Sequence, residues 1–149
     1  MSIFKLPWIG RRRAEQAGSV LVFASRFDSR GPGSARALFT GGMRIWLTAL
    51  RSPGVLGASL WARPLRGKYY TLSAWESEEA LRAFAHSGAH RRGVKALYAA
   101  GEVDGVLISW WEDAGTWRPR WKDAVRRADA ATPGPYAGPA QGPAQRPAA

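Results

Sequence analysis

A chain of 149 residues with 46% hydrophobic content has room for one domain with a packed core. It has no cysteine, which excludes disulfides, thiolate zinc sites, iron–sulfur clusters and a cysteine nucleophile. The net charge of +11 raises nucleic acid as a partner, but the cations are scattered over Arg11–Arg13, Arg91–Arg92, Arg118–Lys122 and Arg126–Arg127. No helix gathers them into a stripe and no binding signature accompanies them, so a solubilising surface is expected rather than a nucleic-acid site.

Residues 1–18 read as an N-terminal extension, partly ordered because Trp8 and Ile9 can dock on the body. The apolar stretch Ile3 to Ile9 precedes the arginine triplet, the reverse of a secretory signal. No apolar run approaches the ~20 residues that span a bilayer. A cytoplasmic protein without a membrane partner is the expectation. Residues 19–131 form the domain. Ser19 to Phe27 is β-rich and runs into a turn-like stretch from Asp28 to Gly33. Ser34 to Leu50 carries Ala37, Leu38, Ile45, Leu47 and Ala49, a helix-like pattern interrupted by Gly41-Gly42 and stopped by Ser52-Pro53-Gly54. Strands follow at Val55 to Arg63 and Lys68 to Glu76. Ser77 with Glu78 and Glu79 marks a capped helix start. A last strand runs from Val103 to Trp111. The order β-α-β-β-α-β predicts an α+β, ferredoxin-like antiparallel sheet. From Thr132 onward, proline, glycine and alanine leave little to bury, so residues 132–149 are expected to be a disordered tail.

Alternation divides the strands into two faces. Tyr70, Leu72 and Ala74 are grouped with Leu56, Ala58, Leu60 and Ala62 and with Val106, Ile108 and Trp110 as an apolar face for the helices. The other face mixes Ser59, Trp61 and Arg63 with Tyr69, Thr71, Ser73 and Trp75 and with Leu107, Ser109 and Trp111. The sheet of a second subunit would cover it. Eight tryptophans in this length also suggest a ligand cavity or a subunit interface.

The second helix carries two apolar stripes. Leu81, Phe84, Ala85 and Gly88 form one; His90, Val94 and Leu97 form another, about half a turn away on the 3.6-residue wheel. One straight helix cannot bury both, so a break at Ser87-Gly88 is predicted. His86 then faces solvent and His90 faces the sheet. The two share the spacing of a dihistidine metal site, but the phase break separates them and no carboxylate partner is suitably placed, so no metal is expected. His90 is either a satisfied core histidine or an acid, base or ligand donor of a pocket.

The stretch Tyr69 to His90, YYTLSAWESEEALRAFAHSGAH, resembles the dimeric α/β-barrel superfamily that includes antibiotic-biosynthesis monooxygenase-like proteins. The likeness lies in a strand ending in Trp, an acidic helix start, an aromatic within the helix, then Ser-Gly-x-His. The resemblance implies a homodimer with sheets meeting face to face and a cavity between each sheet and its helices. It also implies oxygenase-like chemistry, without a cofactor, on a flat hydrophobic small molecule such as an aromatic polyketide, and a place in secondary metabolism. His90 is then the candidate catalytic base, with Trp61, Tyr70, Trp75, Phe84 and Trp110 as candidate substrate-binding residues. A non-catalytic dimer binding haem or another apolar ligand is the alternative. In the haem-degrading branch a tryptophan, Ser-Asp-x-Phe and a ligating histidine occupy this helix. Here Phe84, Ser87-Gly88, His90 and finally Val94 stand in those places, so only haem held by His90 remains.

Overall fold

In the computed structural model, residues 4–10, 18–30, 32–99 and 102–140 are described. They form β1 (Phe4–Lys5), β2 (Ile9–Gly10), β3 (Ser19–Arg30), α1 (Pro32–Leu50), β4 (Val55–Arg63), a 3₁₀ turn (Pro64–Arg66), β5 (Lys68–Trp75), α2 (Glu78–Ala85), α3 (Gly88–Ala99), β6 (Glu102–Asp113) and α4 (Trp121–Ala130). The four long strands lie in the order β4-β5-β3-β6, every pair antiparallel. This is the ferredoxin-like α+β arrangement, extended by β1 and β2 on the outer side of β4. β3 continues to Arg30, beyond the turn expected at Asp28, because Asp28 to Arg30 find partners in β6. α1 runs through Gly41-Gly42 without interruption. It ends before Gly54, whose positive φ of 82° and a missing Cβ, which would stand 2.5 Å from that of Ala80, suit only glycine.

The register corrects the grouping of the faces. Trp61 pairs with Tyr70 and Ala62 with Tyr69, so the odd residues of β4 share a face with the even residues of β5. A register shift between Val55 and Gly57 puts Leu56 on that face too, against Val20, Val22, Leu72 and Trp110. Arg63, stacked over Trp61, therefore lies on the same face as Tyr70 rather than opposite it.

Helices α1, α2 and α3 cover the face of Leu21, Phe23, Ala58, Tyr69, Trp75 and Trp111. That is the face the alternation had reserved for a second subunit. The opposite face is covered by α4, through Ala124 and Ala128, and by Trp8, Trp117 and Trp121. α4 did not stand out in the sequence because, after Trp121 at its start, its apolar residues are three alanines and one valine between charged ones. Trp8 sits over Gly57, where a Cβ would fall 2.3 Å from the indole, and the β1–β2 link is held by Leu6 N donating to Leu60 O at 2.8 Å. Residues 132–140 depart from the expected disorder. They run beside β6 with Gly134 N on Gly105 O at 3.0 Å and Ala140 N on Ser109 O at 2.9 Å. Residues 141–149 lie outside the described residues. Among those described, no helix is long and apolar enough to cross a membrane.

Candidate functional site

Between the sheet and α1–α3 lies a cavity of about 550 Å³, within the range of small-molecule sites. Its floor comes from alternate residues of four strands: Phe23 and Ser25, Ala58 and Leu60, Thr71 and Ser73, and Leu107. Its roof is the α1 stripe Gly42, Ile45, Trp46 and Ala49, joined by Leu81 and Phe84 of α2 and by His90 and Val94 of α3. Small or hydroxylated residues of the floor (Ser25, Ala58, Thr71 and Ser73) and Gly42 and Ala49 of the roof leave the gap between the layers unfilled.

The helix break places His90. α2 starts where Ser77 Oγ accepts from Ala80 N at 3.1 Å, and ends at Ala85. α3 restarts at Gly88, where Ser87 Oγ accepts from His90 N at 3.3 Å. The second cap resets the helical phase, so Leu81 and Phe84 before the break and His90 and Val94 after it all line the hollow. Leu97 has its side chain outside the described residues. His86 is exposed at the rim.

His90 Nδ1 lies 3.1 Å from the carbonyl oxygen of Ala85. A carbonyl only accepts, so Nδ1 carries the proton and the neutral ring keeps its lone pair on Nε2. Burial lowers the His90 pKa below 6.5, although the Ala85 bond opposes the shift, and His86 adds a small push in the same direction. Phe84 packs edge-on against the imidazole at 4.6 Å and stacks on Trp75 at 5.1 Å. The ring is thus oriented, neutral near pH 7 and able to accept a proton.

Further polar groups are spread through the cavity. Ser25 Oγ and Thr71 Oγ1 bond to one another at 2.5 Å across the β3–β5 pair. Ser73 Oγ accepts from Trp75 Nε1 at 2.9 Å. The indole Nε1 of Trp46 is buried without a partner among the described residues. Leaving such a donor unpaired costs about 1–3 kcal/mol.

Of the residues selected from sequence, His90 and Phe84 line the cavity. Trp75, fully buried, backs Phe84 from behind and does not reach the hollow. Trp61, Tyr70 and Trp110 are corrected: they point to the opposite face, packed with α4 and its flanks. The Tyr70 hydroxyl donates to Asp129 Oδ1 at 3.1 Å, and burial followed by that carboxylate pushes its pKa up to about 12. Trp46, Ser25, Thr71 and Tyr136 went unselected. Gly42, Ile45, Trp46 and Ala49 stand at i, i+3, i+4 and i+7, a spacing that identifies Trp46 as inward-facing. Leu47, included in its place, is 41% exposed. Among the described residues no group of three His, Asp or Glu could hold a metal ion.

Antiparallel sheet, divided helix and one-sided cavity define an α+β ferredoxin-like protein with a hollow under its helices. The family model for antibiotic biosynthesis monooxygenase matches residues 47–96, from late α1 through most of α3, about a third of the chain. No curated protein matches. Solved structures sharing the fold include SnoaB, a cofactor-independent oxygenase from Streptomyces nogalater, at 18% identity over 68% of this chain and 96% of that one, with a TM-score of 0.50. A protein of unknown function from Bacteroides thetaiotaomicron aligns at 13% identity over 63% of this chain and 100% of that one, TM-score 0.53. A dimeric ferredoxin-like protein of unknown function from Jannaschia aligns at 18% identity over 60% and 97%, TM-score 0.50. At these identities the likeness is one of fold.

Proposed function

We propose that this chain is a cofactor-independent oxygenase of a flat, hydrophobic, oxygen-bearing small molecule of the aromatic polyketide kind. The observation that carries the reading is the half-buried His90, its Nδ1 bound to Ala85 O, on the wall of an apolar cavity that Trp46 also lines. The neutral imidazole takes a proton from an activated CH₂ through Nε2. The resulting carbanion passes one electron to dioxygen, and recombination forms a C–O bond. The peroxide regains a proton, loses water and leaves a carbonyl, so R₂CH₂ and O₂ become R₂C=O and H₂O. Trp46 Nε1 donates to the oxygen on which negative charge builds, as electrostatic stabilisation requires. Phe84 and Phe23 hold the ring system. SnoaB, a cofactor-independent oxygenase of the same fold, supports the reading.

The test is oxygen uptake with anthrone above its spontaneous rate, giving anthraquinone and water. His90→Ala is expected to lower turnover by about 10²–10⁴-fold, the usual contribution of a general base. Unchanged turnover in that variant overturns the base assignment. A Soret band in protein purified from haem-supplied cells, with no anthrone oxidation, overturns the oxygenase reading in favour of haem binding. The proposal includes a cytoplasmic homodimer, in line with the dimeric Jannaschia neighbour. A solution mass of twice 16.2 kDa by light scattering supports the dimer, and a monomer mass refutes it.

A further inference from the structure

The segment 132–140 contains one large apolar side chain, Tyr136, among Pro133, Gly134, Pro135, Gly138 and Pro139. It lies outside the family-matched residues 47–96. Its backbone is tied to the free edge of β6 at two points, Gly134 on Gly105 and Ala140 on Ser109. Proline suits a position along an edge because it has no N–H to satisfy. Between these ties Tyr136 turns inward. Its hydroxyl lies 2.6 Å from Ser109 Oγ and its ring meets Phe23 edge-on at 5.8 Å. Tyr136, Ala137 and Gly138 line the cavity itself. Burial, with Glu78 nearby, raises the Tyr136 pKa although the Ser109 bond works the other way, so the phenol stays neutral and the wall it makes is largely apolar.

We propose that Tyr136 is a size-determining residue of this cavity: with the strap it closes the hollow at the β6 edge and limits the length of the flat ligand inside. The inference rests on the reading of the cavity as the ligand site. Among the described residues the strap's hydrogen bonds to β6 are Gly134 to Gly105, Ala140 to Ser109 and Tyr136 to Ser109, and edge segments tied in this way open locally far below the cost of global unfolding. Release of Tyr136 lengthens the hollow toward β6 without disturbing the sheet or the helix break that positions His90.

Two readouts test it on the full chain, with circular dichroism confirming that each variant folds. The first is quenching of tryptophan fluorescence by 2-naphthol, with two fused rings, and by 1-hydroxypyrene, with four. Tyr136→Ala is expected to improve the affinity for hydroxypyrene relative to naphthol by about tenfold, a difference of 1.4 kcal/mol. Tyr136→Phe, which keeps the ring, retains the wild-type preference. An unchanged preference in Tyr136→Ala overturns the proposal. Binding of both probes that neither Trp46→Phe nor His90→Ala alters overturns the cavity reading instead.

The second readout needs no ligand. The chain has two histidines, one exposed and one in the cavity, so diethyl pyrocarbonate should modify His86 quickly and His90 slowly. Tyr136→Ala is expected to speed the slow phase by about tenfold or more while the fast phase is unchanged, as for a site protected by local closure. Two phases that do not respond to Tyr136→Ala overturn the strap as the closing wall, whether or not either probe binds.

Discussion

The two faces of one sheet have opposite constructions. Under α4 the space is filled: Trp61 packs against Tyr70 at 5.7 Å and Trp121 at 5.3 Å, and Trp8 against Trp117 at 5.7 Å. With Trp110, five of the eight tryptophans are on this side. Under α1–α3 the floor interleaves Phe23, Leu60 and Leu107 with the small Ser25, Ala58, Thr71 and Ser73, and the space remains open. The tryptophan excess that suggested a ligand site therefore serves mainly the face opposite the cavity. Large aromatics close gaps between layers; a hollow needs small residues on one of its walls.

The largest expected effect comes from breaking the filled side. Trp110 is 3% exposed, and Trp110→Ala should cost about 3–5 kcal/mol in urea unfolding, while the fraction still folded binds cavity probes as before. A loss of probe binding in folded protein would show that the two faces are coupled.

A change of pH acts on the open side. Burial depresses the His90 pKa below 6.5, so between the two values the unfolded chain binds a proton that the folded chain does not. The stability contributed is full above pH 6.5 and is lost as pH falls through the folded value. Turnover should fall along the same limb, with a midpoint below 6.5, and His90→Gln should remove the limb from the stability profile. A turnover midpoint above 6.5 would contradict the assigned environment.

Smaller effects sharpen the contrast. Tyr70→Phe removes the hydrogen bond to Asp129 and should cost about 1 kcal/mol, with no change in probe affinity. Gly42→Ala replaces a mid-helix glycine whose new Cβ would meet Leu60 at an ordinary 3.6 Å. It should raise stability by about 0.5–1 kcal/mol, whereas Gly42→Leu should fill the roof and abolish binding of 2-naphthol. Denaturation and fluorescence titration read all three variants.

Much of this was legible from residue order. The period-2 runs placed four strands within three residues of their observed ends, and the two stripes around Ser87-Gly88 required a divided helix, because the phase of a 3.6-residue repeat is a local property. The inward turn of His90 followed from the same phase. Other features were not legible for physical reasons. Which side of β4 matches which side of β5 depends on pairing register and on the shift at Val55–Gly57, and which side of the sheet α1–α3 cover depends on tertiary packing, so Trp61, Tyr70 and Trp110 were placed in the cavity when they lie behind it. After Trp121 at its start, α4 shows the sheet mainly alanines, a weak signal until a surface is there to receive them.

Local chain chemistry alone determined the kinds and order of the elements and the direction in which the broken helix aims its imidazole, since caps, turns and periodicity act over a few residues. Tertiary structure alone decided which aromatics fill a face, which surround a hollow, and that Tyr136 in a proline- and glycine-rich segment becomes one of its walls. Those outcomes depend on cross-strand register and on contacts between residues far apart in the chain, and no short window of sequence encodes either.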